Sequence, residues 1–256
     1  MAVYTCFDMI ADCKANKSEG WTYLSKVFIP PLEWMVKRYG GGQAHLATLL
    51  ASLKPFPREI APMAEREFIA AIRPHILDST GWTGGEAQTL ALTQFESALT
   101  ELTPLERQLV WFEVLGYSIP DAARLCRVSA ETATKSQDRA SDLLRQSLDR
   151  WDRAIVRDNA AILAREARAA VPGEPVPFRG YLDIIDGRMT WSNRMTVERS
   201  LSASWFEVDH FCRVREADAA MRDTKPLTDE QAAPYVERFG VRLPKPSLWK
   251  RVIAAR

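Results

Sequence analysis

The stretch from Ser129 to Arg139 gathers side chains able to grip a nucleic acid. Ser129, Thr132 and Ser136 carry hydroxyls, Glu131 a carboxylate, Lys135 an ammonium and Arg139 a guanidinium. On a helix starting at Ala130, Lys135 and Arg139 stand at i,i+4, a spacing that brings two cations to phosphate or to the acceptor edge of guanine. Ser129 and Thr132 can hydrogen-bond phosphate or base edges from the same end. Ser129, Glu131, Thr132, Lys135, Ser136 and Arg139 are therefore the candidate DNA-binding residues. Glu131, Asp138 and Asp142 share the helix and oppose it. From Glu106 to Arg168 there are 11 Lys/Arg against 10 Asp/Glu. Phosphate neutralisation supplies most of the affinity of such a module, so DNA binding by this segment alone is expected to be weak. For any one of these residues the plainer reading is a solvated, mixed-charge helix face.

Other chemistry finds little support. His45, His75 and His210 sit in different segments, and no nucleophile motif, phosphate loop or paired-metal spacing occurs. Glu65 and Glu67 are i,i+2 and diverge on a helix. Cys6, Cys13, Cys126 and Cys212 form no C-x-x-C pair, so neither disulfides nor a zinc site is expected, and Cys6 and Cys13 read as core residues. The chain is read as a non-enzyme without cofactor or metal.

The elements that must position Ser129–Arg139 lie between Thr100 and Leu148. Leu102, Leu105, Leu109, Val110 and Phe112 fall on or near one face of a first helix, which Gly116 stops. Ser118 is an N-cap for a short second helix with Pro120 in its first turn, where a missing N–H costs nothing. That helix buries Ala122, Ala123 and Leu125. The turn Cys126-Arg127-Val128 points Val128 inward, and Ser129 caps the third helix. Small alanines allow the last two helices to cross closely, which is the sequence form of a helix-turn-helix. Such a motif either contacts DNA or docks protein.

Four stretches carry a family likeness: Leu102-Thr103-Pro104-Leu105-Glu106-Arg107, Ser118-Ile119-Pro120-Asp121-Ala122-Ala123, Val128-Ser129-Ala130-Glu131-Thr132-Ala133-Thr134-Lys135, and Arg139-Ala140 with Leu144-Arg145. Together they resemble region 4 of the sigma-70 family of bacterial RNA polymerase sigma factors, in particular the small extracytoplasmic-function type, over about a fifth of the chain. The resemblance implies docking on core RNA polymerase and contact with −35 promoter DNA. It also implies regulation by an anti-sigma protein or by an intramolecular segment.

Near the N-terminus, Tyr4–Gly40 reads as two helical parts separated by the polar Asn16–Gly20. Phe7, Met9, Ile10 and Cys13 form a stripe on the first, and Gly40-Gly41-Gly42 ends the second. Its Trp21, Leu24, Phe28, Ile29, Pro31, Leu32 and Tyr39 look like the opening helices of sigma region 2. The acidic Asp-x-x-Gln-Glu stretch and the aromatic, basic helix of that region do not follow. Capture of an opened strand needs aromatic platforms beside cations, and only Phe56 and Phe68 are at hand. Promoter melting of the standard kind is therefore not expected, and a degenerate relative acting as a protein-interaction adaptor stands as the alternative. Pro74 is expected to end or kink the Ala61–Leu77 helix.

Toward the C-terminus, helices are expected at roughly 181–186, 196–221 and 229–239. Ser200, Ser204 and Glu207 occupy positions spaced like the His-x3-Cys-x2-Cys ligands of zinc-containing anti-sigma domains, but none is a thiolate or imidazole. Either this is a metal-free segment of that kind, held by Trp205, Phe206 and Phe211, or it is an unrelated helical domain.

The whole reads as an all-α protein. A helical domain spans 1–77, a linker 78–86 and the helix-turn-helix domain with a long final helix 87–170. A Pro-rich linker covers 171–180 and a helical C-terminal domain 181–256. Hydrophobic content of 46%, charged content of 26% and a net charge of +1 suit a globular chain without a strong global field. No apolar run reaches the ~20 residues a membrane span needs, and no signal peptide opens the chain, so a cytoplasmic location with no membrane contact is expected.

Overall fold

A computed structural model describes residues 3–81, 99–147 and 160–240, and these are all-α: among them no strand occurs. None of the described helices is long and apolar enough to cross a membrane. Residues 82–98, which hold most of the expected linker, residues 148–159 of the expected long final helix and residues 241–256 lie outside the described residues. The helices are α1 (Cys6–Lys14), α2 (Ser18–Arg38), α3 (Gln43–Leu53), α4 (Phe56–Glu59) and α5 (Glu65–Thr80), followed by α6 (Pro104–Val114), α7 (Ile119–Cys126) and α8 (Ala130–Ser147). Then come α9 (Ala160–Ala169), α10 (Phe178–Ile185), α11 (Trp191–Ala203), α12 (Trp205–Asp223) and α13 (Asp229–Arg238). The chain forms two compact units, one of residues 1–68 with 220–256 and one of residues 69–219. The division falls within α5 and α12, not at the Pro-rich 171–180.

In the first unit, a Thr5/Asp8 capping box starts α1, and Asn16 in the left-handed region (φ 56°) turns the chain into α2. Cys6, Met9, Ile10 and Cys13 form the buried stripe, whereas Phe7 is exposed. At about 100° per residue, Cys6, Met9, Ile10 and Cys13 fall within an arc of about 100°, and Phe7 lies about 60° beyond its edge. Gly20 belongs to α2 and not to a polar break. A Cβ there would sit 2.7 Å from the Cys13 nitrogen and 2.9 Å from the Met9 carbonyl oxygen, so glycine lets α1 and α2 touch. Pro30 and Pro31 lie inside α2. Pro30 has no N–H to offer the Lys26 carbonyl, and the Leu227 N–H donates to that oxygen instead at 2.9 Å. Lys26 Nζ also meets Asp229 at 2.9 Å, so the segment entering α13 is strapped to the proline notch of α2. Phe239 then stacks on the buried Trp21.

In the second unit, α5 continues past Pro74 to Thr80, so the proline does not end it. The expected 196–221 helix is two helices, because Ser204 is extended (φ −154°, ψ 133°) and its hydroxyl accepts the Phe206 N–H. A charged cluster lies in the core. The guanidinium of Arg73 is 2.9 Å from Asp209 and 3.1 Å from Glu216, all three side chains being fully buried. Arg213 pairs with Asp209 at 2.6 Å, Trp111 Nε1 donates to Asp209 at 2.8 Å, and the Tyr117 hydroxyl donates to Glu216. Burial alone would raise the Asp209 carboxyl, but Arg213, Arg73 and Trp111 outweigh it and hold it well below the usual range. Trp111 stacks on Trp205, and Tyr181 on Phe211. Glu207, one of the zinc-spaced positions, accepts from the Tyr181 hydroxyl and from the Val176 N–H, and the described residues hold no group of three or more metal-ligating side chains.

Two consequences for stability follow. Arg73→Met leaves Asp209 and Glu216 buried without their shared cation, and urea unfolding is expected to register a loss of about 3–5 kcal/mol. His210 lies against Phe178 and Phe206, and burial, reinforced by Arg213, holds its pKa down to about 4 from an ordinary 6.5. Between those values the unfolded chain binds the proton and the folded chain does not. Stability contributed by neutral His210 is therefore full above pH 6.5 and falls by about 3 kcal/mol on the way to pH 4. Urea midpoints measured across that range should fall in the native chain and lose most of this slope in His210→Leu.

Candidate nucleic-acid interface

The site is built from α6, α7 and α8, whose mutual packing forms a three-helix core. Thr103 caps α6, and its partner in the capping box is Glu106: the Thr103 N–H donates to the Glu106 carboxylate at 2.7 Å, and the Glu106 N–H to the Thr103 hydroxyl at 3.3 Å. Glu106 is itself buried and receives Arg139 of α8 at 2.7 Å, so one carboxylate both starts α6 and ties α8 to it. Gln137 of α8 donates to Glu113 of α6 as a second tie. At the far end of α6 the Tyr117 N–H reaches the Phe112 carbonyl and the Gly116 N–H that of Glu113, with Gly116 at φ 78°. This is a Schellman stop, which uses the glycine the sequence supplies.

Ser118 caps α7 through the Asp121 N–H. Ala122, Ala123, Leu125 and Cys126 are buried, as the close crossing of α7 and α8 requires. The turn repeats the Schellman pattern: Val128 N–H to Ala123 carbonyl at 3.0 Å and Arg127 N–H to Arg124 carbonyl at 3.3 Å. Here the left-handed position is Arg127 (φ 59°, ψ 42°), where glycine would be unstrained. Its guanidinium meets Asp218 of α12 at 2.6 Å. Val128 is half-buried.

The six candidate residues lie along α8 and its cap, with Ala133, Gln137, Ala140, Ser141 and Leu144 turned into the core. Ser129, Glu131, Thr132, Lys135 and Arg139 are exposed and Ser136 is half-buried. Ser129 caps α8 by accepting the Thr132 N–H at 3.1 Å, and the two hydroxyls lie 2.8 Å apart. Lys135 pairs with Glu131 at 2.7 Å, both being well exposed. Further along, Arg145 pairs with Asp142 at 2.9 Å. Lys135, Arg139 and Arg145 therefore each meet a carboxylate of the same chain, and the face is balanced in sign, not a basic stripe.

Sequence reasoning found the caps and the helix-turn-helix, but it missed Asp218 and the α12 carboxylates that hold α6 and the turn. Their partners in α6, at its exit and in the turn are 91 to 99 residues away. Comparison of the chain with family models, with curated proteins and with solved structures finds no match.

The two cations of the site should behave differently when neutralised. Arg139→Gln strips the buried Glu106 of its cation and is expected to cost about 1–2 kcal/mol. Lys135→Gln breaks only a solvated pair and should stay within ~0.5 kcal/mol of the native chain. Paired thermal melts measure the difference, and equal melting temperatures would mean that Arg139 does not hold α8 to α6.

Proposed function

We propose that this chain is a sigma-type transcription factor that docks on core RNA polymerase and touches −35 promoter DNA weakly through α8. The observation that carries the reading is the outward face of the Ser129-capped α8, following a tight left-handed turn, with Thr132 and Lys135 on its N-terminal half. The resemblance of Leu102–Arg107 and Val128–Lys135 to sigma region 4 supplies the partner. Weak DNA contact suffices in such an assembly, because attachment to polymerase raises the effective concentration of the helix at the promoter. A cytoplasmic location belongs to the same reading.

The pairing of Lys135, Arg139 and Arg145 with carboxylates favours a second reading, in which the module docks protein only. Co-purification with core RNA polymerase and promoter-fragment binding at two salt concentrations separate the two. For the first reading, polymerase is retained and DNA binding weakens with salt. Lys135→Ala then flattens the salt slope by about one unit, the loss of one phosphate contact. Glu131→Gln, which frees Lys135, tightens binding. Retention of polymerase without DNA binding identifies the adaptor. Failure to retain polymerase sinks the sigma assignment.

A further inference from the structure

We propose that a cleft along α2, in the first unit, binds a small organic cation of the quaternary ammonium class, held by the rings of Tyr4 and Tyr23 and the carboxylate of Glu19. The cleft has a volume of about 580 Å³, within the ~300–1,000 Å³ of small-molecule sites, and its walls are mostly carbon. Glu19, Tyr23 and Val27 form one row of α2 at i,i+4 spacing, and Ser18, Thr22 and Lys26 the row beside it. Tyr4 adds a second ring, its centroid 5.0 Å from that of Tyr23 and the two planes inclined at 51°.

The class of ligand follows from where the wall's hydrogens go. The Tyr4 hydroxyl donates to Asp12 at 2.8 Å and that of Tyr23 to Glu65 at 3.2 Å. The Thr22 hydroxyl donates to the Ser18 carbonyl at 2.8 Å, and that of Ser18 to Glu19 at 3.2 Å. Every hydroxyl hydrogen of the wall is therefore spent within the fold, and ring faces and oxygen lone pairs remain for a ligand. Burial and Glu65 push the Tyr23 phenol up to about 12, and burial and Asp12 raise that of Tyr4 as well, so both stay donors at neutral pH. A phenol that gives its hydrogen to a carboxylate has an electron-rich ring, whose negative face attracts cations. Charge points the same way. Lys26 is matched by Asp229 at 2.9 Å, two turns along α2 from Glu19, and Asp12 is matched by Lys17 at 2.9 Å. Among the described residues Glu19 and Glu65 form no ion pair, so the surroundings of the cleft are net negative. A quaternary head is weakly hydrated and suits carbon walls, whereas a primary ammonium gives up strongly held water to enter them. The proposal does not depend on DNA binding.

NMR titration of the full, nitrogen-15-labelled chain with choline chloride tests it, with ionic strength held constant by sodium chloride. The amides of Tyr4 and of residues 18–27 should shift and saturate, with a Kd on the order of 1 mM. The uncharged isostere 3,3-dimethyl-1-butanol and the primary amine ethanolamine should each bind roughly tenfold more weakly or worse. Tyr23→Ala should weaken choline binding by about the same factor. Glu19→Gln, a change at an exposed position that leaves the fold intact, should weaken it severalfold. Absence of saturating shifts at ~100 mM choline, some hundredfold above the expected Kd, overturns the proposal. The isostere binding as tightly as choline makes the cleft an apolar pocket and overturns it too. So does ethanolamine binding as tightly, or choline binding indifferent to both Tyr23→Ala and Glu19→Gln.

Discussion

The guanidinium of Arg73, buried between Asp209 and Glu216, is the contact on which the second unit depends. Asp209 and Glu216 lie seven residues apart on α12, two turns along one face, and Arg213 sits between them. Two cations and two carboxylates make the cluster neutral, while Trp111 and Tyr117 add donors from α6 and its exit. Coulomb attraction and these hydrogen bonds offset a large desolvation cost, and an apolar cluster of equal volume could be as stable. Register is what the charges add. Sliding α12 by one turn would set Arg213 opposite Arg73, two buried cations face to face.

The same helix governs the helix-turn-helix. Arg127 holds a left-handed backbone that costs a non-glycine residue on the order of 1 kcal/mol, and its side chain is fastened by Asp218, two residues beyond Glu216. Glycine at this position would remove the strain and the fastening together. Thus α12 fixes α6 through Asp209 and Glu216, and the turn through Asp218. The turn that leads into α8 is held by a segment outside the three-helix motif.

Where the signal is local, the sequence is a sufficient guide. Ser118, Gly116, Ser129 and the Thr103/Glu106 box act where their types and spacing say they should, because a cap is made within three or four residues. Ala122 and Ala123 are likewise legible, since a close crossing admits only small side chains. Arg73 is not legible in this way, because its partners lie 136 and 143 residues away and no spacing rule links them. Glu207 occupies the place of a metal ligand in spacing alone, and its role as acceptor for Tyr181 and Val176 is visible only once α10 and α12 meet. Gly20 reads as a breaker until the backbone of α1 is placed 2.7 Å from where its Cβ would be.

The pairings on α8 also divide its outer face. A phosphate approaching Arg139 must compete with Glu106, which is buried and cannot recover its hydration if the pair opens. A phosphate approaching Lys135 competes only with Glu131, a solvated carboxylate that returns to water at little cost. Asp138 and Asp142 further disfavour the C-terminal half. Any anionic ligand of this helix is thereby directed to Ser129, Thr132 and Lys135, the end that a recognition helix places against base edges. Arg139, the strongest cation by type, serves the fold first.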